Sequence, residues 1–187
     1  AAHCYHYDSQ YRIEEFYKGR TLKSEDVFEA KNLQKIAAQL HKLHRLKPKG
    51  LPRKTYFELI QEKWKSLAHY SLVTKRHLFP PHEQAMCVEL LEILEDKTFQ
   101  KVRSCFPDST PIFCHNDTYH GNIMRLETGE IKLLDFEFSC LNYHVFDFAN
   151  LFAETVMVHG LPDEPHFRIA QPAYGDDEIM HLIDAYL

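Results

Sequence analysis

Apolar residues recur at helical spacing in three stretches of the first hundred residues. The stretches run from Ser24 to about Leu46, from about Thr55 to Leu72, and onward from Pro80-Pro81. Spacings of three and four residues place such positions on one side of a helix, so we predict three amphipathic helices. Ser24 suits the N-cap of the first helix, because its hydroxyl can accept a backbone N–H of the first turn.

Each predicted helix has one side that we expect to be buried. The residues on those sides are Val27, Phe28, Leu33, Ile36, Ala37, Leu40 and Leu43 in the first helix, Tyr56, Phe57, Ile60, Trp64, Leu67 and Ala68 in the second, and Ala85, Val88, Leu91, Ile93 and Leu94 in the third. Acidic residues in the first turn of the first helix favour its start near residue 24.

Beyond residue 110 the apolar runs become short. "PIFCH", "NIMRLE" and "EIKLLDFEF" each suit a strand, and Thr128-Gly129 makes a tight turn between the last two. We therefore predict a small β-hairpin that is entered from the polar loop 115–122. "YRIEEFYKG" (11–19) predicts another short strand, followed by a turn at Gly19.

The last part of the chain returns to helical spacing. "YHVFDFANLFAETVMV" (143–158) and the last twelve residues are predicted helices. The prolines and glycine of "LPDEPHFRIAQPAYGDD" (161–177) predict a loop between them. The pattern as a whole indicates an α+β fold, a mostly helical lobe with an embedded hairpin.

Composition and charge narrow the class of protein. Of 187 residues, 44% are hydrophobic and 13% aromatic, which is typical of a folded domain. The formal charge of -5 argues against nucleic acid or an anionic membrane as the main partner. Five cysteines without regular spacing predict reduced thiols and a cytoplasmic location. No apolar run approaches the ~18 residues of a membrane span, so we expect no membrane insertion.

The polar loop "FCHNDTYHGNIM" (113–124) is the strongest candidate for chemistry. Asp117 precedes Asn122 by five residues, and the outgoing strand of the predicted hairpin ends at Asp135. Protein kinases place a catalytic Asp and a metal-binding Asn at this spacing, and a second metal-binding Asp after a later strand. One carboxylate would accept the proton of a substrate hydroxyl, while amide and carboxylate oxygens suit Mg²⁺.

Simpler interpretations exist for the same residues. Asp117 and Asn122 are common turn formers, and Asp135 could end the hairpin, although a carboxylate after two leucines is costly to bury without a cation. We predict structural roles for His115 and for Asp147, the latter through hydrogen bonds to the backbone near the loop.

A zinc site at His41 and His44 is not expected. The two histidines stand three residues apart on a predicted helix, but no Cys or acidic residue lies at ligand spacing from them in the sequence.

The loop and the segment after it resemble the choline/ethanolamine kinases, a family with the protein-kinase-like fold. His115–Asp117 and Gly121–Ile123 are similar to the "HND…NIL" loop of that superfamily. "LLDFEFSCLNYHVFDFANLFAE" (133–154) is more specific, because it resembles the family's "IDFEY" strand, its "FD…N" and its closing "F.E". "RIEEFYKGRTL" (12–22) looks like the hinge between the two kinase lobes. The resemblance implies ATP and Mg²⁺ as cofactors.

The resemblance also implies roles for individual residues. Asp117 matches the catalytic base, and Asn122 and Asp135 match the Mg²⁺ ligands. Glu15 and Tyr17 stand where the hinge would meet adenine. The residues that match the amino-alcohol pocket are Glu154, near the ammonium group, with Tyr119, Phe138 and Tyr143.

Two of these positions depart from the family pattern. Tyr119 stands where the family usually has Gln, and Phe138 stands where it usually has Tyr. Each change removes or moves a polar contact, so both bear on substrate preference more than on the reaction.

The resemblance predicts the domain organisation as well. Residues 1–20 are expected to be the end of the N-lobe and the hinge. Residues 21–187 are expected to be a helical C-lobe with the catalytic loop 113–124 and the metal-binding strand and signature 131–154. We expect this chain to lack most of the N-lobe, because no Gly-rich loop or strand Lys precedes the hinge. We expect a chain that is incomplete at both ends and inactive alone.

These features favour an ATP-dependent kinase that converts choline or ethanolamine to phosphocholine or phosphoethanolamine, the first step of phospholipid headgroup synthesis. The resemblance implies a homodimer. An aminoglycoside or homoserine kinase would share the loop but not "FDFANLFAE". A pseudokinase-like binding module is the alternative outside the enzymes, and the intact Asp117, Asn122 and Asp135 disfavour it.

Overall fold

The computed structural model describes residues 2–78, 80–94, 101, 104–105, 109–163 and 166–187. Its helices are α1 (Ser24–Val27), α2 (Ala30–His44), α3 (Tyr56–Thr74), α4 (Pro81–Leu94), α5 (His144–Val156) and α6 (Asp176–Tyr186). Its strands are β1 (Cys4–Tyr7), β2 (Arg12–Glu14), β3 (Gly19–Thr21), β4 (Ile112–Cys114), β5 (Ile123–Leu126), β6 (Ile131–Leu133), β7 (Cys140–Asn142), β8 (Met157–His159) and β9 (Phe167–Ile169). Short 3-10 turns lie at Arg76–Leu78 and His120–Asn122.

The described strands form four small antiparallel sheets. They are β1-β2, β3-β5-β6, β4-β7 and β8-β9. The three-stranded sheet contains the predicted hairpin, with Ile123 opposite Leu133 in β5-β6. Its turn needs Gly129, which has φ 80° and donates its N–H to the Leu126 carbonyl at 2.8 Å. The hairpin prediction is therefore confirmed.

The core lies between α2, the three-stranded sheet, α5 and α6. Its fully buried members include Leu33, Ile36, Ala37 and Leu40 of α2, Ile123 and Ile131 of the sheet, Leu151 of α5 and Leu182 of α6. The predicted buried side of the first helix is thus confirmed. The two helices predicted after residue 143 are confirmed as well, although the first ends at Val156, where β8 follows. No helix in the described part of the chain has the length and apolarity to cross a membrane.

The first predicted helix is in fact two helices. The chain leaves the helix after Val27 and α2 begins at Ala30. The Asn32 side chain of α2 donates to the Asp26 carbonyl of α1 at 2.7 Å and so connects the two helices across this break. Ser24 is not the N-cap, because Lys23 holds that position and its backbone N–H is bound by the Asp26 carboxylate at 2.8 Å. Periodicity alone misses such a break, since both helices contribute to one apolar side.

The predicted burial of α3 and α4 is wrong in part. Trp64 and Leu67 of α3 and Val88 of α4 are about half exposed. The spacing of apolar residues identifies a helix face but not whether another element covers it. The predicted side chains at Ala68, Leu91, Ile93 and Leu94 lie outside the described residues.

The sequence pattern missed five of the described strands, which are β1, β3, β7, β8 and β9. β7 pairs with β4, with Phe113 opposite Leu141. β9 lies within the segment predicted as loop and pairs with β8, with Val158 opposite Arg168. Strands of three residues are too short to show an alternation of polar and apolar positions.

Candidate active site

The loop that follows β4 is held by one buried carboxylate. Asp147 of α5 is fully buried, and its Oδ2 accepts the backbone N–H of His115 at 2.8 Å while its Oδ1 accepts that of Asn116 at 2.7 Å. Oγ1 of Thr118 donates back to the carbonyl of Asp147 at 2.5 Å. The predicted structural role of Asp147 therefore agrees with its contacts.

A second set of hydrogen bonds fixes the start of the loop to β7. The Asn116 side chain donates to the Phe138 carbonyl at 2.9 Å and accepts Nδ2 of Asn142 at 2.7 Å. Nε2 of His115 lies 2.8 Å from the Leu134 carbonyl, and its ring packs on Phe136. These contacts support a structural role for His115. Hydrogen bonds thus connect the start of the loop to β7 and to the segment between β6 and β7.

Asp117 and Asn122 are in direct contact. Nδ2 of Asn122 donates to the Asp117 carboxylate at 2.7 Å and to the Asp117 carbonyl at 3.0 Å. The 3-10 turn at 120–122 makes this contact possible, because it folds the chain back within five residues. With its nitrogen engaged, Asn122 has its Oδ1 left over for a cation.

The hairpin brings Asp135 beside Asn122. The backbone N–H of Leu134 donates to the Asn122 carbonyl at 2.8 Å, which continues the β5-β6 ladder. Asp135 is exposed, has φ 57°, and borders a cavity of about 430 Å³ that Arg12 and Glu14 also line. A non-glycine residue in this left-handed region is strained, and such strain is concentrated at functional sites.

The donor set fits Mg²⁺. Among the described residues, neither the Asp135 carboxylate nor Oδ1 of Asn122 accepts a hydrogen bond. One carboxylate and one amide oxygen on adjacent backbone stretches are the oxygen ligands that a hard divalent cation prefers.

The charge around Asp117 also favours a cation. Burial raises the pKa of Asp117, and the carboxylates of Glu154 and Asp135 raise it further, while the Asn122 hydrogen bond and His115 lower it. The negative charges of Glu154 and Asp135 thus both act on Asp117. A bound cation would relieve their repulsion.

Comparison with known proteins identifies the family. The family model described as choline/ethanolamine kinase matches residues 3–187. The chain belongs to the choline/ethanolamine kinase family. Probable choline kinase 1 of Arabidopsis thaliana is 33% identical over 178 residues, which cover 94% of this chain and 48% of that protein. The chain therefore spans about half the length of this curated relative.

Solved structures of the same family share the fold. Choline kinase of Cryptosporidium parvum superposes with a TM-score of 0.75 at 20% identity, and the match covers 100% of this chain and 56% of that one. LicA in complex with AMP superposes with a TM-score of 0.62 at 19% identity, covering 100% of this chain and 54% of that one. The predicted α+β, protein-kinase-like fold is confirmed.

The hinge predicted for this kinase-family chain links two sheets. The Glu15 N–H donates to the His3 carbonyl at 2.8 Å, which extends the β1-β2 hairpin. Lys18 then joins the other sheet through its carbonyl, which accepts the Glu127 N–H at 3.1 Å. Tyr17 lies between them, half-buried, with the ammonium of Lys132 5.7 Å from its ring centre. Burial raises the pKa of Tyr17, and Glu15 adds to this.

Aromatic rings pack around Tyr56, the first residue of α3. The exposed Phe138 ring meets Tyr56 edge-on at 6.2 Å, and Tyr56 meets Phe146 at 5.8 Å. Burial raises the pKa of Tyr56, and the Asp117 carboxylate raises it further, so the two groups are close enough to interact. Tyr143, predicted to border the substrate pocket, is buried at the N-cap of α5.

Glu154 and Tyr119 both interact with His120. The Glu154 carboxylate is 3.2 Å from Nε2 of His159, and its charge acts on both Asp117 and His120. Tyr119 packs edge-on against the His120 ring at 5.3 Å and lies over Gly121, where an added Cβ would overlap the Tyr119 ring.

Sequence reasoning missed two residues of this site. Tyr56 was assigned only to a helix face, and nothing in the sequence signals that the first residue of α3 lies near Asp117. His44 was left without an acidic partner, but its Nε2 is 2.9 Å from the Asp147 carboxylate and its Nδ1 is 2.8 Å from the Tyr186 hydroxyl. These partners stand 103 and 142 residues away in sequence, so ligand spacing could not reveal them.

The contact between His44 and Asp147 does not make a metal centre. His44, Asp147 and Cys114 are buried with one ligand atom each within 4.8 Å of one another. Burial raises the pKa of the Cys114 thiol, and the Asp147 charge raises it further. A metal ligand must be the thiolate, and the Asp147 oxygens are already engaged by the loop. The group is structural.

Proposed function

We propose that the polypeptide carrying this chain is an ATP-dependent kinase that phosphorylates the hydroxyl of choline or ethanolamine. Membership of the choline/ethanolamine kinase family supports this proposal. The observation that carries it is the 2.7 Å contact between the Asp117 carboxylate and Asn122, next to an Asp135 carboxylate without a hydrogen-bond partner among the described residues. This pairing is the one that a phosphoryl transfer needs.

Asp117 is proposed as the catalytic base. Its Oδ2 is held by Asn122, so Oδ1 is available to the substrate hydroxyl. As the hydroxyl oxygen bonds to the γ-phosphorus and the bond to the leaving ADP oxygen breaks, the hydroxyl proton passes to Asp117. The raised pKa of Asp117 favours this transfer, since a more basic carboxylate accepts the proton more readily.

Asn122 and Asp135 are proposed to hold Mg²⁺, which would neutralise the phosphate charge. The role of this chain is to fix the two oxygen ligands on adjoining strands, so that little reorganisation is needed when the nucleotide binds. The backbone of Glu15 and the ring and backbone of Tyr17 are proposed to meet the adenine. The Glu15 N–H is already bound to His3, so the Glu15 carbonyl is the atom proposed to face the base.

The amino-alcohol end is proposed to lie between Glu154 and the aromatic rings. A quaternary ammonium offers no N–H donor, and it is bound by ring faces and nearby carboxylates. Phe138, Tyr143 and Tyr119 are proposed to supply the rings, and the Tyr56 ring against Phe138 extends that surface. An ethanolamine ammonium would donate directly to Glu154.

A homodimer and a cytoplasmic location belong to the same proposal. The described cysteines, Cys4, Cys105, Cys114 and Cys140, are all free, which supports a reducing compartment. Family membership is the support for the dimer.

Product analysis tests the proposed function. The complete polypeptide that carries this chain is incubated with ATP, Mg²⁺ and one acceptor at a time: choline, ethanolamine, homoserine or an aminoglycoside. We expect ³¹P NMR to show phosphocholine or phosphoethanolamine and no phosphorylated homoserine or aminoglycoside. Phosphorylation of the latter acceptors alone would assign a different small-molecule kinase. No product with any acceptor, although ATP binds, would favour the binding module.

A further inference from the structure

Positive charge is concentrated in one segment of this acidic protein. Residues 42–78, from here on the basic segment, contain ten Lys and Arg against two Glu, a net charge of +8. Because the whole chain carries -5, the remaining residues carry -13. The basic segment comprises the end of α2, the loop that follows, α3 and the 3-10 turn after it. The total charge therefore conceals a strongly uneven distribution of charge along the chain.

Most of the described cations of the basic segment have no carboxylate partner. In the part of the chain that the structure describes, Lys54 pairs with Glu62, whereas six other exposed basic residues have no salt bridge. They are Lys42, Arg45, Lys47, Lys49, Arg53 and Lys63. Elsewhere many cations are paired, as Arg20 is with Asp26 and Arg12 with Glu14. The free charge of the basic segment is available to an external anion.

The same segment exposes large apolar side chains. Trp64, Leu67 and Tyr70 recur at every third residue of α3, which places them along one side of the helix. Together with Leu46 in the loop before α3, they are 47% to 54% exposed. Lys63 is exposed on the same helix. Exposed Trp and Tyr in a segment rich in exposed Lys and Arg are typical of a region that lies among the headgroups of a bilayer.

We propose that the basic segment docks on an anionic phospholipid membrane, with its cations on the headgroups and Trp64 at the interface. The proposed binding is peripheral, and no part of the basic segment crosses the bilayer. Lys and Arg near such a surface gain about 1 kcal/mol each. The basic segment has ten cations against two carboxylates, so local attraction can exceed the repulsion from the acidic remainder of the chain, which salt screens beyond ~10 Å. An acidic protein partner would account for the cations but would not account for the exposure of Trp64, Leu67 and Leu46. The proposal does not depend on the kinase activity.

Trp64 makes a direct test possible, because it is the one tryptophan of the chain. The full chain is titrated with vesicles of phosphatidylcholine alone or with about 30% phosphatidylserine, a fraction that gives a strong negative surface potential. With the anionic vesicles we expect a blue shift of Trp64 emission and quenching by brominated acyl chains. Both effects should disappear at about 0.5 M salt, where screening is strong. Neutral vesicles should give neither.

Charge variants separate specific docking from overall charge. The triple variant Lys47→Gln, Lys49→Gln, Arg53→Gln is expected to weaken vesicle binding about a hundredfold, at roughly fivefold per charge. Its control, Lys23→Gln, Lys31→Gln, Arg168→Gln, removes the same charge outside the basic segment and should lower binding less than threefold. Equal losses in the two variants, or no blue shift with anionic vesicles, would overturn the proposal. Binding to polyglutamate without binding to vesicles would overturn it in favour of an acidic protein.

Discussion

Oδ1 of Asp147 accepts the backbone N–H of Asn116 at 2.7 Å, and Asn116 has φ 67°. A non-glycine residue in this left-handed region is strained by about 1–3 kcal/mol and persists only where its surroundings compensate. The buried carboxylate supplies that compensation, with help from the Asn142 and Phe138 contacts of the Asn116 side chain. The position of Asp117, the next residue, thus depends on a helix that begins 27 residues later.

Asp147→Asn should destabilise the fold. The amide keeps one accepting oxygen but places its NH2 group against the backbone N–H of either His115 or Asn116, so at least one buried donor loses its acceptor. We expect a loss of about 3 kcal/mol in the free energy of unfolding, the scale for breaking a buried ionic network. Urea denaturation followed by circular dichroism measures it. Asp184→Asn, on an exposed position of α6, is the matched control and should change stability by less than about 0.5 kcal/mol. Equal stability of the two variants would show that Asp147 does not hold the loop.

Asp117→Asn should stabilise the fold at neutral pH. Because the folded chain raises the pKa of Asp117, mainly through burial, the contribution of this group to stability is fully present below its unfolded pKa. That contribution is lost as pH rises through the folded value, and Asn stays neutral throughout. We expect the variant to melt about 2 °C above wild type at pH 7, with the difference shrinking towards pH 4. A variant that melts below wild type at pH 7 would contradict the raised pKa.

Asp135→Asn should weaken the use of Mg²⁺. The change keeps the shape of the side chain but removes the charged oxygen that is proposed to bind Mg²⁺. We expect the Mg²⁺ concentration at half-maximal activity of the complete polypeptide to rise at least about tenfold. Glu137→Gln is the control, because Glu137 is an exposed carboxylate that lines the same cavity two residues away. Identical Mg²⁺ titrations for wild type and Asp135→Asn would remove Asp135 from the metal site.

Gly121→Ala should strain the catalytic loop through Tyr119. The new methyl would overlap the Tyr119 ring, so the ring or the loop must move. We expect a loss of about 1–3 kcal/mol in unfolding free energy, the cost of overpacking. Tyr119→Ala in the Gly121→Ala background should recover most of it. A double-mutant cycle measures this coupling, and strictly additive effects would show that the two residues do not pack together.

The sequence predicted those parts of the fold that rest on local patterns. The buried side of α2 follows from helical periodicity, and the β5-β6 hairpin follows from two apolar runs around Thr128-Gly129. Whether another element packs against a helix face is not a local property, so the exposure of Trp64 in α3 could not be inferred from the sequence. The break after α1 depends on one side-chain contact, that of Asn32 with the Asp26 carbonyl.

The candidate site divides in the same way. The spacing of Asp117 and Asn122 and the position of Asp135 after a strand predicted a shared site, and the structure brings these stretches together. The buried pair of His44 and Asp147 joins residues 103 apart, and a contact of that kind depends on how helices pack. The interaction of Tyr56 with Asp117 also depends on how the helices pack, so the sequence did not reveal it.

The steady-state kinetics of Asp117→Ala in the complete polypeptide test the central claim most directly. If Asp117 is the base, its removal leaves the substrate hydroxyl without a proton acceptor, while the proposed Mg²⁺ ligands Asn122 and Asp135 remain. We expect kcat with choline and with ethanolamine to fall at least about a hundredfold, the usual scale for general-base catalysis. Asp184→Ala, a distant exposed carboxylate, should leave kcat unchanged. Near-normal phosphorylation of both substrates by Asp117→Ala would contradict the assignment of Asp117 as the base.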